Sequence, residues 1–285
     1  MDSQENVTSL VLNANGSISF DKNCFRNSTF NSIVINSNNY VNFSRLFDDG
    51  KNIFNNIEIL NCKNRIFSEY SFESSKINSL KIYSNCSVDF EKEAFFCCDN
   101  INKLEIYAAY ISFNEGSFYS SNINSMILYA NKNIEFNERS FYATNNATYI
   151  EIHSYGDINF TYSSFENSNI DAIKLYSNKN IIFSRRSFIG SSINDFKMYN
   201  LNDIIFQYNS FSFSKLNNSY LHSNGIISIS ESAFNDIQNL NLFSINSTSN
   251  VTFGNSSFEN SEIKEININW EKQNNNAFYL EESNL

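Results

Sequence analysis

The chain has 285 residues, 41% of them apolar and 16% aromatic, with no proline, 7 glycines, 5 cysteines and a net charge of −10. The apolar and aromatic content excludes a disordered chain, and the Gly, Pro and Cys counts exclude a collagen-like or disulfide-stapled one. An acidic chain whose only Arg pair is Arg185-Arg186 lacks the basic face that nucleic acid or an anionic membrane surface demands, so neither is an expected partner.

Taken from the N-terminus, Met1–Asn6 has neither the basic nor the apolar region of a secretory signal. No apolar run approaches the ~18–20 residues that cross a bilayer. On these grounds alone the expected location is cytoplasmic. From Val7 onward the sequence repeats. Each unit opens with apolar residues at i, i+3 and i+5, as in Val7/Leu10/Leu12, Phe30/Ile33/Ile35, Ile77/Leu80/Ile82, Ile101/Leu104/Ile106, Ile123/Met126/Leu128, Ile170/Ile173/Leu175, Ile193/Phe196/Met198 and Ile263/Ile266/Ile268. The last two positions of each triplet have the period of a strand.

A second short extended segment follows in every unit: a branched aliphatic residue, one intervening residue, then Phe. It runs from Ile18/Phe20 and Val41/Phe43 to Ile204/Phe206 and Val251/Phe253, with Arg65 and Ile229 as substitutes. Next comes a small residue and a further Phe, at Phe25, Phe72, Phe95, Phe118, Phe141, Phe165, Phe188, Phe211, Phe234 and Phe258, with Phe47 after Leu46 filling the gap. Steps in this column are 22, 25, 23, 23, 23, 24, 23, 23, 23 and 24 residues, and the two columns take 21 of the 28 Phe. No long 3.6-residue period appears, so long helices are not expected. One such unit cannot bury its own apolar face, whereas stacked units bury a continuous core. The pattern predicts one solenoid over residues 1–270 with about eleven to twelve turns. Residues 271–285, acidic and Asn-rich, form a tail or cap. The array starts within the first ten residues without a polar capping unit, which points to an atypical cap, self-association through open ends, or a gene fragment.

The triplet followed three residues later by Asn, as in Val7-x-x-Leu10-x-Leu12-x-x-Asn15, Ile77-x-x-Leu80-x-Ile82-x-x-Asn85 and Ile170-x-x-Ile173-x-Leu175-x-x-Asn178, is the leucine-rich-repeat signature. With the 23-residue step, the small-residue–Phe dipeptide and Ser three residues after that Phe (Ser28, Ser75, Ser121, Ser168, Ser191), the chain resembles the BspA-type leucine-rich repeats over about residues 7–270. The departures are Tyr or His where that family has Pro after the triplet, and Phe in place of Ile in the upstream column. They keep a right-handed parallel β-helix as the alternative fold. The resemblance implies surface display, adhesion and binding to protein or matrix, and it implies no catalytic residue or cofactor. The Asn after the triplet recurs at 38, 85, 131, 178 and 224 but is replaced in the units between, which suggests duplication of a two-turn unit.

The residue after the triplet faces away from the core. In seven successive turns it is Tyr83, Tyr107, Tyr129, His153, Tyr176, Tyr199 and His222, a stripe about 30 Å long at ~4.8 Å per turn. It suits recognition by an amphipathic aromatic surface, and equally suits rings that stack to stabilise the sheet. Two residues earlier stand Glu58, Lys81, Glu105, Ile127, Glu151, Lys174 and Lys197, a solvated face with cross-turn charge pairs. His153 and His222 are three turns apart and cannot share a metal. Cys24, Cys62, Cys86, Cys97 and Cys98 have no metal-binding spacing and are expected to be free, structural thiols. The tight acid groups, Asp48-Asp49, Glu91/Glu93 and Glu281-Glu282, are not repeated in neighbouring turns, and no catalytic motif is present. The expected function is a non-catalytic interaction protein binding a protein or glycan through the stripe. A self-assembling structural solenoid is the alternative, followed by a carbohydrate-active β-helix enzyme.

Overall fold

Two apolar residues at i+3 and i+5 of an extended segment share one face, and in a single turn that face has nothing to cover it. The computed structural model shows how the chain solves this; it describes residues 7–25, 28–45 and 52–270, without the side chains of Val7, Thr8, Cys62, Arg65 and Trp270. Phe47, Asp48-Asp49, Glu281-Glu282 and the whole 271–285 tail lie outside the described residues. The triplets become the long strands of a twelve-stranded parallel sheet that begins with Val7–Ala14 and ends with Ile266–Trp270. The short aliphatic-x-Phe segments form a second parallel sheet of eleven strands, from Ile18–Phe20 to Val251–Phe253. In both sheets each strand pairs with that of the turn before and the turn after, so the order in space is the order in sequence. No helix occurs among the described residues. The coil is therefore a solenoid of long strand, corner, short strand and turn edge.

Both Phe columns lie between the sheets. Phe43, Phe67, Phe90, Phe113, Phe136, Phe160, Phe183 and Phe206 stack along the axis, with centroids 4.7–5.1 Å apart. The turn-edge Phe residues stack likewise, Phe165 lying 4.8 Å from Phe141 and 4.9 Å from Phe188. This spacing is that of the strand ladder, which imposes it on the rings. Face-to-face contact is not the best ring geometry, and the edges of the other column supply the better one: Phe113 meets Phe141 at 4.9 Å and 78°.

The turn edge has its own ladder. From Phe72 to Phe234 the amide of the edge Phe donates to the carbonyl of the small residue one turn on, as from Phe95 to Ser117 and Phe165 to Ser187, both at 2.7 Å. Two residues before and two after each Phe the backbone turns left-handed, for example at Glu93 (φ 53°) and Cys97 (φ 52°). That pair of reversals brings the chain round from one sheet to the other without proline.

The Ser content now has a place. Buried Ser residues close the long strands: Ser37, Ser154 and Ser177 donate to the carbonyls of Gly16, Lys132 and Gly156 at 2.9, 2.6 and 2.8 Å. Each also accepts an amide hydrogen two residues on, from Asn39, Gly156 and Lys179, so the corner is satisfied internally.

Candidate functional site

Each stripe residue stands just before the last inward residue of its long strand. Strand alternation puts Leu128 and Ala130 inside and leaves Tyr129 between them on the outer face, half-buried. The register is unbroken: Tyr83 pairs with Tyr107, Tyr107 with Tyr129, Tyr129 with His153, His153 with Tyr176, Tyr176 with Tyr199 and Tyr199 with His222. Six of the seven rings form one near-parallel stack. Centroids are 4.9, 5.0, 4.4, 4.4 and 5.1 Å apart from Tyr83 to Tyr199, with interplanar angles of 11° or less. The stack breaks at the seventh: His222 lies 6.5 Å from Tyr199 and is tilted by 41°.

Stacking fixes what the stripe offers. Rings from Tyr107 to Tyr176 have a neighbour on each face, so only edges and hydroxyls remain open. The hydroxyls of Tyr107, Tyr129 and Tyr176 have no hydrogen-bond partner among the described residues. Burial pushes their pKa values up, so they remain protonated donors at neutral pH.

The charged column beside the stripe is in the expected register, yet only part of it pairs as expected. Lys81 reaches Glu105 at 3.7 Å, and Glu105 also takes Lys103 at 2.9 Å. Glu151, in register with Lys174, instead accepts from the Tyr149 hydroxyl and bonds His153 Nε2 at 2.6 Å. Lys174 turns to the Tyr149 ring, 5.4 Å from its centroid. Burial acts to raise the Glu151 carboxyl, but the two hydrogen bonds outweigh it and hold the group below the usual carboxylate range. Tyr149 is pushed up by burial and by its bond to that carboxylate. His153 is thus both a ring in the stack and a tether to Glu151, a role that neither reading of the sequence contained. His222 is held below the ordinary imidazole value by burial.

A second polar column escaped the sequence reading. One residue after the first apolar residue of most long strands stands Asn, and these amides form a ladder on the outer surface. Asn102 Nδ2 donates to Asn78 at 3.1 Å, Asn124 to Asn102 at 2.8 Å and Asn217 to Asn194 at 2.7 Å. Beside it runs a shallow polar groove of about 240 Å³, lined by Asn169, Asp171, Asn194, Lys215, Asn217 and Asn239 among others. The signal was present as Asn31, Asn55, Asn78, Asn102, Asn124, Asn194, Asn217 and Asn241. It was lost against a background of 52 Asn.

Comparison with known families decides the type of solenoid. The family model described as the BspA type leucine rich repeat region (6 copies) matches residues 2–124, 46–157, 88–216 and 159–284. The chain belongs to the BspA-type leucine-rich repeat family. No curated protein and no solved structure matches it. As a BspA-type chain it is a repeat protein of a generally non-catalytic kind, and the leucine-rich-repeat reading stands over the generic β-helix. No helix among the described residues is long and apolar enough to cross a membrane.

Hydrogen bonds across the turns explain the column three residues after the edge Phe, which holds Ser and, at 98, Cys. In this BspA-type chain Ser121, Ser168, Ser191 and Ser214 donate to the carbonyls of Phe95, Phe141, Phe165 and Phe188 at 2.6–2.8 Å. Cys98 does the same to Phe72 at 3.0 Å. Burial drives its thiol pKa upward, so it stays a protonated donor. Cys24, Cys86, Cys97 and Cys98 are all free thiols, and the Cys62 side chain lies outside what is described. Of the acid groups, Glu91 and Glu93 fall on the turn edge, where Glu93 hydrogen-bonds Tyr70 and pushes that phenol up to about 12.

Proposed function

We propose that the chain is a non-catalytic interaction protein that binds another protein through the outer face of its long sheet, at the stripe Tyr83, Tyr107, Tyr129, His153, Tyr176, Tyr199 and His222. The observation that carries this is the closure of the ring faces. A sugar stacked on an aromatic residue needs an open face, and from Tyr107 to Tyr176 both faces are taken by neighbours. Ring edges and protonated hydroxyls are left, which suits the mixed apolar and hydrogen-bonding contacts of protein interfaces. Lys81, Glu105, Glu151, Lys174 and Lys197 supply a rim of both signs, which favours register and specificity over raw affinity. The family's association with adhesion and surface display supports a partner outside the cell.

The test separates hydroxyls from rings. A triple Tyr→Phe change at 107, 129 and 176 keeps the stack and removes three donors; a triple Tyr→Ser change removes both. Proteins from the surroundings of the source cells that bind the immobilised chain should be held less by the Phe triple and lost by the Ser triple. Equal retention by all three chains would sink the reading, and stripe-dependent binding to a glycan array would replace it. Antibody labelling of intact against permeabilised cells tests the surface location.

A second reading is self-association through the ends. Ile266 and Ile268 are 46% and 40% exposed, where the equivalent Ile173 and Leu175 in mid-array are covered. Residues 271–285 or a second copy would cover them, and sedimentation across a concentration series distinguishes the two.

A further inference from the structure

Tyr70, Phe96, Tyr119 and Tyr142 flank the edge Phe in turns three to six, the last three stacked on one another. In the column three residues before the edge Phe, the aromatic residues instead fall in turns seven and nine. The residue three before the edge Phe is Glu69, Lys92, Glu115 and Glu138 in earlier turns, then Tyr162, Arg185 and Tyr208, then Glu231. The edge ladder keeps these turns in register, with the Phe165 amide on Ser187 and the Phe188 amide on Ser210 at 2.7 and 2.8 Å, so Tyr162, Arg185 and Tyr208 occupy the same position in three successive turns. Tyr162 and Tyr208 are 37% and 43% exposed.

Phe213 closes the same turn that Tyr208 opens and is 58% exposed. Its backbone is left-handed, with φ 58°, a conformation that disfavours a bulky side chain. Equivalent positions in adjoining turns hold Asn167, Gly190 and Asp236, which suit it far better. Folding thus gains nothing from Phe at 213.

Arg185 is exposed and lies 5.5 Å from the Tyr208 ring centroid, with no carboxylate partner among the described residues. Its neighbour differs: Arg186 bonds Glu166 at 3.2 Å and lies 5.9 Å from the Tyr162 ring. We propose that this edge is a second docking site, separate from the stripe, and that it takes a protein segment presenting one carboxylate between apolar side chains. Tyr and Arg are the side chains that anchor protein interfaces, and an aromatic-backed guanidinium without a counter-ion matches a carboxylate. Charge on either side selects the kind of partner. Glu138 and Glu231 stand in the same column, one turn beyond Tyr162 and one beyond Tyr208. They repel a broad anionic surface such as a membrane or nucleic acid, while a single acid centred on Arg185 escapes them.

The site is tested by selecting a displayed library of random peptides against the full chain. Enriched peptides should pair Asp or Glu with large apolar residues. Their affinity should fall about thirtyfold for Arg185→Glu, the loss expected of an interface anchor, and several-fold for Phe213→Ser. It should not change for the Tyr107/Tyr129/Tyr176→Phe triple, so this site and the stripe stand or fall separately. All these positions are on the surface, and a melting curve shows that each variant folds. Absence of enrichment, peptides lacking an acid, or equal binding by Arg185→Glu would overturn the proposal. So would Arg185-dependent retention on phosphatidylserine-rich vesicles, which would make the ligand a membrane.

Discussion

Ser187 and Ser191 are four residues apart in one turn, both buried, and they do opposite things. Ser191 Oγ donates to the Phe165 carbonyl of the preceding turn at 2.6 Å. Ser187 Oγ, beside the edge Phe, is buried without a partner. Ala94 and Ala233 fill the position of Ser187 in other turns and stay fully buried, so that column demands small volume rather than a hydroxyl. Ser191→Ala should therefore cost about 1 kcal/mol by removing the short bond to the Phe165 carbonyl, which keeps only the longer 3.3 Å bond from the Ser168 amide, and Ser187→Ala should be neutral or slightly stabilising. Urea denaturation of the two variants checks the contrast. His222 adds a pH signature. Burial lowers its folded pKa below the unfolded value of ~6.5, so the stability tied to its neutral form is present above that pH and is lost as pH falls through the folded value. Between pH 7 and pH 5 the melting temperature of His222→Asn should fall less than that of the parent, because the carboxylates common to both chains cancel in the comparison.

At the scale of the strand, the sequence revealed which residues share a face but not how they meet. The 23-residue period put Tyr83 through His222 in one column, and the register agrees residue for residue. Periodicity cannot show whether a ring presents its face or its edge. That depends on the strand ladder, which sets successive rings 4.4–5.1 Å apart and near parallel and so closes the faces. Nor could it show that Glu151 takes His153 and Tyr149 rather than Lys174. The competition is decided within one strand, at positions i±2, by groups that are closer and already held by the stack. A measurable consequence attaches to Tyr129, stacked at 5.0 Å on Tyr107 and 4.4 Å on His153. Tyr129→Phe should leave the melting temperature nearly unchanged. Tyr129→Ser removes two stacked contacts and should cost about 1–2 kcal/mol. Equal effects would mean that the hydroxyl, not the ring, supports the sheet.

Over the whole molecule, stability is close to a sum over neighbouring turns, and position along the axis decides what a lost ring costs. The architecture was legible from the sequence because every turn repeats the same two Phe columns and the same triplet. The way the array closes beyond Trp270 lies outside the described residues. Phe165 is fully enclosed: it stacks on Phe141 and Phe188 and meets the edges of Phe136 and Phe160 at 5.3 and 5.7 Å. Phe258, in the last described turn, stacks on Phe234 at 5.3 Å and meets Phe243 at 5.2 Å and Phe253 at 6.1 Å, while Phe253 is itself 45% exposed. Phe165→Ala should cost about 3–5 kcal/mol, because turns clamped on both sides cannot collapse into the cavity. Phe258→Ala should cost less than half of that, because the adjoining side chains are free to move in. Hydrogen exchange distinguishes a local loss from a shared one. In the Phe165 variant protection should drop in both directions along the ladder, through the strands Tyr149–Ser154, Asn169–Ser177 and Ser192–Asn200. In the Phe258 variant the drop should stay beyond the strand Leu242–Ser247. If both variants lose protection evenly along the whole chain, the solenoid unfolds as a single unit and the nearest-neighbour picture fails.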